Sequence, residues 1–69
     1  MNTITTPTYV VWSIEHDAWW RPAREGYTRF VEEAGVYSAD DSADIVSKAN
    51  YPPGTFHECR IPLMCVGRI

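Results

Sequence analysis

Residues 12–20 read WSIEHDAWW and hold all three tryptophans, one of the two histidines and the carboxylates Glu15 and Asp17. With His57 and Cys59, the pair His16 and Asp17 makes a candidate metal set, because imidazole, carboxylate and thiolate are the side chains that bind zinc-class ions. The spacing argues against a closed site. His16 and Asp17 are adjacent, so a strand would point them apart and only a loop would let them converge. His57 and Cys59 share a face in a strand, but for Cys59 that is the face expected to pack in the core. The tight paired cysteine spacing of structural zinc sites is missing.

A Cys–His nucleophile pair would use Cys59 or Cys65 with His16 or His57 as base. Neither thiol is expected beside a helix N-terminus or an oxyanion loop, so core packing is the simpler expectation for both. Glu15, Asp17, Glu32 and Glu33 offer carboxylate pairs, but acid–base work also needs a cleft and separated pKa values. A chain of 69 residues barely fills its core, let alone shapes a substrate pocket. Phosphate loop, dinucleotide fingerprint and redox C-x-x-C are all missing from the sequence. The expectation is a protein that is not an enzyme, with no catalytic residue, no cofactor and no metal.

Two sets of residues suit binding instead. Trp20, Arg21 and Arg24, within WWRPAR, have the composition of an interface hot spot and could stack on a nucleotide, a base or a peptide aromatic. The plainer alternative folds both adjacent tryptophans over the end of a small core. Glu32, Glu33, Asp40, Asp41 and Asp44 form an acidic stretch with no basic residue among them. A dense negative patch of this kind suits a positively charged groove and steers encounter. An ordinary solvated, well-capped helix would carry the same charges.

The elements that must position these groups are few. YVVWSI, residues 9–14, is β-branched and aromatic and predicts a strand, with Val10, Trp12 and Ile14 on one face and Tyr9, Val11 and Ser13 on the other. Residues 15–26 read as a long connection interrupted by Pro22 and Gly26, and residues 27–31 as a second strand. Gly35 is expected to take positive φ, ending a turn or forming a bulge. Ser38 with Asp41 resembles a capping box, and Ala39, Ala43, Val46 and Ala49 recur at helical spacing, so a helix is predicted over 39–49 until Pro52 and Pro53. FHECRIPLMCV predicts a third strand with Cys59, Ile61, Leu63 and Cys65 toward the core and Glu58 and Arg60 away from it. The fold class is α+β, a three-stranded antiparallel sheet with one amphipathic helix in the order β-β-α-β. One domain spans 1–69, with residues 1–7 frayed.

The formal charge is −3, which speaks against extended nucleic acid as a direct ligand. The opening residues carry neither a basic stretch nor an apolar run, so two free thiols are expected rather than a disulfide, and no apolar run reaches membrane-spanning length. Tyr9, Val11, Tyr27 and Phe56 are candidates for an uncovered sheet face. A homodimer would bury it, or the WWRP loop would fold back over it.

The string WSxEHxAWW, then GYT, then EEAGxYS resembles a group of small uncharacterised bacteriophage and prophage proteins over residues 9–50. It runs through Trp12, Ser13, Glu15, His16, Ala18, Trp19 and Trp20, then Gly26, Tyr27 and Thr28, then Glu32 to Gly35, Tyr37 and Ser38. The group carries no catalytic assignment. A phage origin implies, by class analogy with small acidic anti-CRISPR proteins, an inhibitor in the host cytoplasm whose partner is a host protein or ribonucleoprotein complex, acting in its narrower form by DNA mimicry. The alternatives are a recognition module for a nucleotide or short nucleic acid built on the Trp/Arg loop, and a small metal protein or enzyme using His16 with His57 or Cys59.

Overall fold

The structure is a computed structural model that describes residues 7–66. The expected frayed segment 1–7 lies outside the described residues except for Pro7. The first strand, β1 (Thr8–Ser13), organises the rest. Val10 and Val11 point to opposite faces, yet both are fully buried, so β1 is central and covered on both sides. Each buried valine contributes about 1.5–3 kcal/mol relative to exposure.

Among the described residues the sheet has five antiparallel strands, which corrects the expected three-stranded β-β-α-β arrangement; it curls into a half-barrel with a single helix. After β1 a tight turn over residues 14–17 leads to β2 (Ala18–Trp20), with Asp17 in the left-handed region at φ 55°. Aspartate tolerates that conformation because its short polar side chain bonds locally. The residues expected to form a long connection therefore contain a hairpin. Next comes β3 (Tyr27–Thr28), shorter than the strand expected over 27–31 because Val31–Glu33 turns into a 3₁₀ helix. The segment before the helix supplies β4 (Tyr37–Ser38). The last strand is β5 (Glu58–Pro62), and Leu63–Val66 is a 3₁₀ turn rather than more strand.

Register fixes the layout. One edge of β1 pairs along its length with β5, from Tyr9↔Pro62 to Ser13↔Glu58. The opposite edge is shared: β4 takes the beginning through Tyr9↔Tyr37, and β2 takes the end through Trp12↔Trp19. β3 extends the sheet beyond β2 through Trp20↔Tyr27. Two- and three-residue strands are too short for a periodic pattern, and β2 and β4 form because the longer β1 presents its hydrogen-bonding edge.

The helix α1 (Ala39–Ala49) has the expected bounds. The Ser38 hydroxyl accepts from the Asp41 N–H at 3.0 Å, and Asp40 and Asp41 occupy the first turn with Lys48 in the last. Ile45 is buried against Val11 and Tyr37, with Trp20 and Val46 packed around them. The helix thus covers the Tyr9–Val11–Ser13 face, which includes two of the residues expected to stay uncovered. Tyr27 and Phe56 do remain exposed.

β5 presents Glu58 and Arg60 to the helix side, the reverse of the expected orientation. Pairing with Ser13 and Val11 sets this, because directly opposed residues share a face. Arg60 is accommodated by its stem and its fork. Its guanidinium lies 4.3 Å over the Tyr9 ring and donates to the Ala39 carbonyl at 2.9 Å and the buried Ser42 hydroxyl at 3.2 Å. Both cysteines are free; Cys59 is half-buried and Cys65, on the 3₁₀ turn, is exposed rather than in the core.

Candidate functional site

Adjacent Trp19 and Trp20 belong to a strand and so face opposite sides of the sheet. Trp19 packs edge-on against Trp12, with ring centroids 4.8 Å apart. Trp20 joins the core cluster, half-buried, with its ring edge-on to Tyr27 at 5.8 Å. The Trp20 Nε1 is buried and has no hydrogen-bond acceptor among the described residues. This burial makes Trp20 part of the core, with Tyr27 at its edge.

That loop is held tightly. The Gly35 N–H donates to the Trp20 carbonyl at 2.8 Å, and the Tyr37 hydroxyl donates to the Arg21 carbonyl. The same hydroxyl accepts the Arg24 N–H at 3.1 Å. A side chain at Gly35 would stand 2.8 Å from the Cα and nitrogen of Pro22. Gly35 is therefore needed for close backbone approach, not for the positive φ expected from sequence, which occurs instead at Gly26 and Gly54. Ala23 and Arg24 both adopt left-handed backbone angles, φ 59° and 58°. For residues with a Cβ this costs about 1–2 kcal/mol each.

The two sets of binding candidates meet here. Arg24 reaches Asp44 at 3.4 Å and Asp41 at 4.0 Å, while Arg21 reaches Glu33 at 3.2 Å. Lys48 also holds Asp44, at 3.2 Å. The hydrogen bond from Lys48, aided by Arg24, keeps the Asp44 carboxyl below its usual range. Glu33 additionally accepts the Thr28 hydroxyl at 2.9 Å. Among the described residues, Glu32 and Asp40 alone of the acidic set have no cation within ion-pair distance. The acidic stretch is thus a mixed-charge surface shared with Arg21 and Arg24. These exposed pairs are each worth about 0–1 kcal/mol, so they order the surface more than they stabilise it.

The metal candidates are redistributed. His16 converges with Glu15 and Glu58, and the three ligand atoms lie within 4.8 Å of one another. Asp17, His57 and Cys59 are outside this group. Cys59 faces the other side of the sheet, opposite Trp12, where burial and then the Glu58 charge push its thiol up. His16 stacks on Tyr27 with centroids 3.9 Å apart, and its Nδ1 lies 3.0 Å from the Ser13 hydroxyl. Burial, then the charges of Glu58 and Glu15, push the Tyr27 phenol up. Glu58 carried no functional signal in the sequence, because only pairing with Ser13 brings it beside the 14–17 turn.

Comparison with protein families, curated proteins and solved structures found no match. Among the described residues no helix is long and apolar enough to cross a membrane.

Proposed function

We propose that the chain is a non-enzymatic protein-binding module whose working surface joins Trp20, Arg21 and Arg24 to Glu32, Glu33, Asp40, Asp41 and Asp44. The observation that carries this reading is the fixed state of Arg24. Its backbone sits in the left-handed region, its N–H is bound by Tyr37, and its guanidinium stands between Asp41 and Asp44. A side chain ordered at conformational cost loses less freedom on meeting a partner, and such strain concentrates where recognition occurs. Tyr27, Phe30 and Val36, from the same stretch of chain, add exposed apolar surface. Arg and aromatic residues are the side chains enriched at hot spots.

Within this class, the phage resemblance supports an inhibitor of a host protein or ribonucleoprotein complex that handles nucleic acid or serves defence, acting in the host cytoplasm. DNA mimicry is its narrower form and depends on free carboxylates, of which Glu32 and Asp40 are the candidates. A homodimer through Tyr9 and Val11 would have to displace the helix, so the partner proposed is another protein.

The test is affinity capture from bacterial lysate with three baits: wild type, D40K/D41K/D44K and R21E/R24E. A specific partner retained by wild type and lost by either variant, with unchanged circular dichroism, supports the surface. Equal retention by all three, or no specific partner, overturns it. Loss in D40K/D41K/D44K alone selects the acidic form, and loss in R21E/R24E alone selects the Trp/Arg loop.

A further inference from the structure

The helix N-terminus lies beside the start of β1, through Tyr9↔Tyr37 and the Ser38 cap, whereas Glu58 lies beside its end. The cluster of Glu15, His16 and Glu58 is therefore at the opposite end of the sheet from the helix N-terminus. Glu58 is only 3% exposed, and among the described residues its carboxylate accepts no hydrogen bond and meets no cation. Its backbone groups, by contrast, are satisfied by the Asn50 side chain, at 2.9 Å and 2.8 Å. A carboxylate placed this deeply favours a polar or cationic partner. The carboxylate is aimed at His16 and Glu15, two groups that also offer lone pairs.

We propose that Glu15, His16 and Glu58 bind one first-row divalent metal ion of the zinc class. The donor set is one imidazole and two carboxylates, so a dication is neutralised by its ligands. Calcium takes about six to eight oxygens, and this cluster supplies a nitrogen and few oxygens, which favours a transition ion. His16 is oriented for the task. With its proton on Nδ1 the ring donates to the Ser13 hydroxyl and leaves the Nε2 lone pair free, while Tyr27 supports the ring face. Ser13 also accepts the His16 N–H at 3.0 Å, which fixes the backbone of the turn. Left-handed Asp17 closes that turn, so adjacent Glu15 and His16 need not diverge as they would in a strand.

Nitrogen and oxygen ligands about 2.0–2.2 Å from zinc stand about 3.0–4.4 Å apart. The observed 4.8 Å span therefore closes by small side-chain rotations of Glu15 and His16, both exposed, while Glu58 stays in place. Three protein ligands leave positions for water or a partner's group.

Calorimetric titration of the untagged full chain with zinc chloride tests the site. The expected result is one zinc per chain, with the His16 ring resonances shifted and those of His57, the other histidine, unmoved. H16A, E15Q and E58Q should each weaken binding by about tenfold or more, and H57A should leave it unchanged. E15Q and H16A alter exposed side chains, so they test the site even if E58Q perturbs folding. R21E/R24E should bind zinc like wild type, which separates failure here from failure of the protein-binding surface. Absence of saturable binding, or equal loss in H57A and H16A, overturns the proposal.

Discussion

Replacing Gly35 with alanine probes the contact that joins the Trp/Arg loop to the core. The new Cβ would meet Pro22 Cα and nitrogen at 2.8 Å and the Arg21 carbonyl carbon at 2.9 Å. All three are backbone atoms, so no side chain can rotate away and the loop must move. Overpacking of this kind costs about 1–3 kcal/mol, and the rigid neighbours place it toward the upper end. Displacing the loop also strains the bond from Gly35 N–H to the Trp20 carbonyl, worth about 1 kcal/mol. The sum, about 4 kcal/mol, is a large share of the stability of a domain this small. It should lower the melting temperature by about 15–30 °C, read by circular dichroism. G54A is the control, because Gly54 has φ +97° but nothing within 4 Å of its added Cβ. Conformational strain alone predicts a smaller loss there, about 1–2 kcal/mol. A G35A protein that melts within a few degrees of wild type, or no lower than G54A, would refute the close-approach role.

Two further predictions concern titration and reactivity. The folded pKa of Asp44 is depressed from 3.8, chiefly by Lys48, so its stabilising contribution is present above that value and is lost as the pH falls below it through the lowered folded pKa. K48M should therefore flatten the acid limb of the stability curve measured by urea unfolding between neutral pH and pH values below 3.8, and an unchanged limb would remove Asp44 as a contributor. Alkylation followed by mass spectrometry at mildly alkaline pH should label exposed Cys65 well before Cys59, whose thiol is pushed up by burial and by Glu58; equal rates would contradict that placement.

Local signals in the sequence were sufficient for the helix. Its serine cap, first-turn aspartates, small-residue spacing and terminal prolines all act within a turn or two, so α1 has its expected bounds. The same holds for β1, long enough for its alternating faces to be read. β3 and β5 fall within the strands expected over 27–31 and the FHECRIPLMCV segment, whereas β2 and β4 are three and two residues long and depend on the edge of β1 that lies free. No local pattern carries that information, and AWW beside Pro22 reads as a loop until Trp12 pairs with Trp19.

Side-chain partners follow the same division. Residue types alone marked Trp20, Arg21, Arg24 and the acidic stretch as binding candidates, but as rivals. Tertiary folding brings Arg24 to Asp41 and Asp44, and Arg21 to Glu33, at sequence separations that no spacing rule spans. His16 was a ligand candidate by residue type alone, whereas Glu58 comes beside it only through register. A one-residue slip between β1 and β5 would turn Glu58 to the opposite face and bring Cys59 to the helix side, because side chains alternate along a strand. The sequence by itself thus determined which groups are available, and only the pairing of strands decided which of them meet.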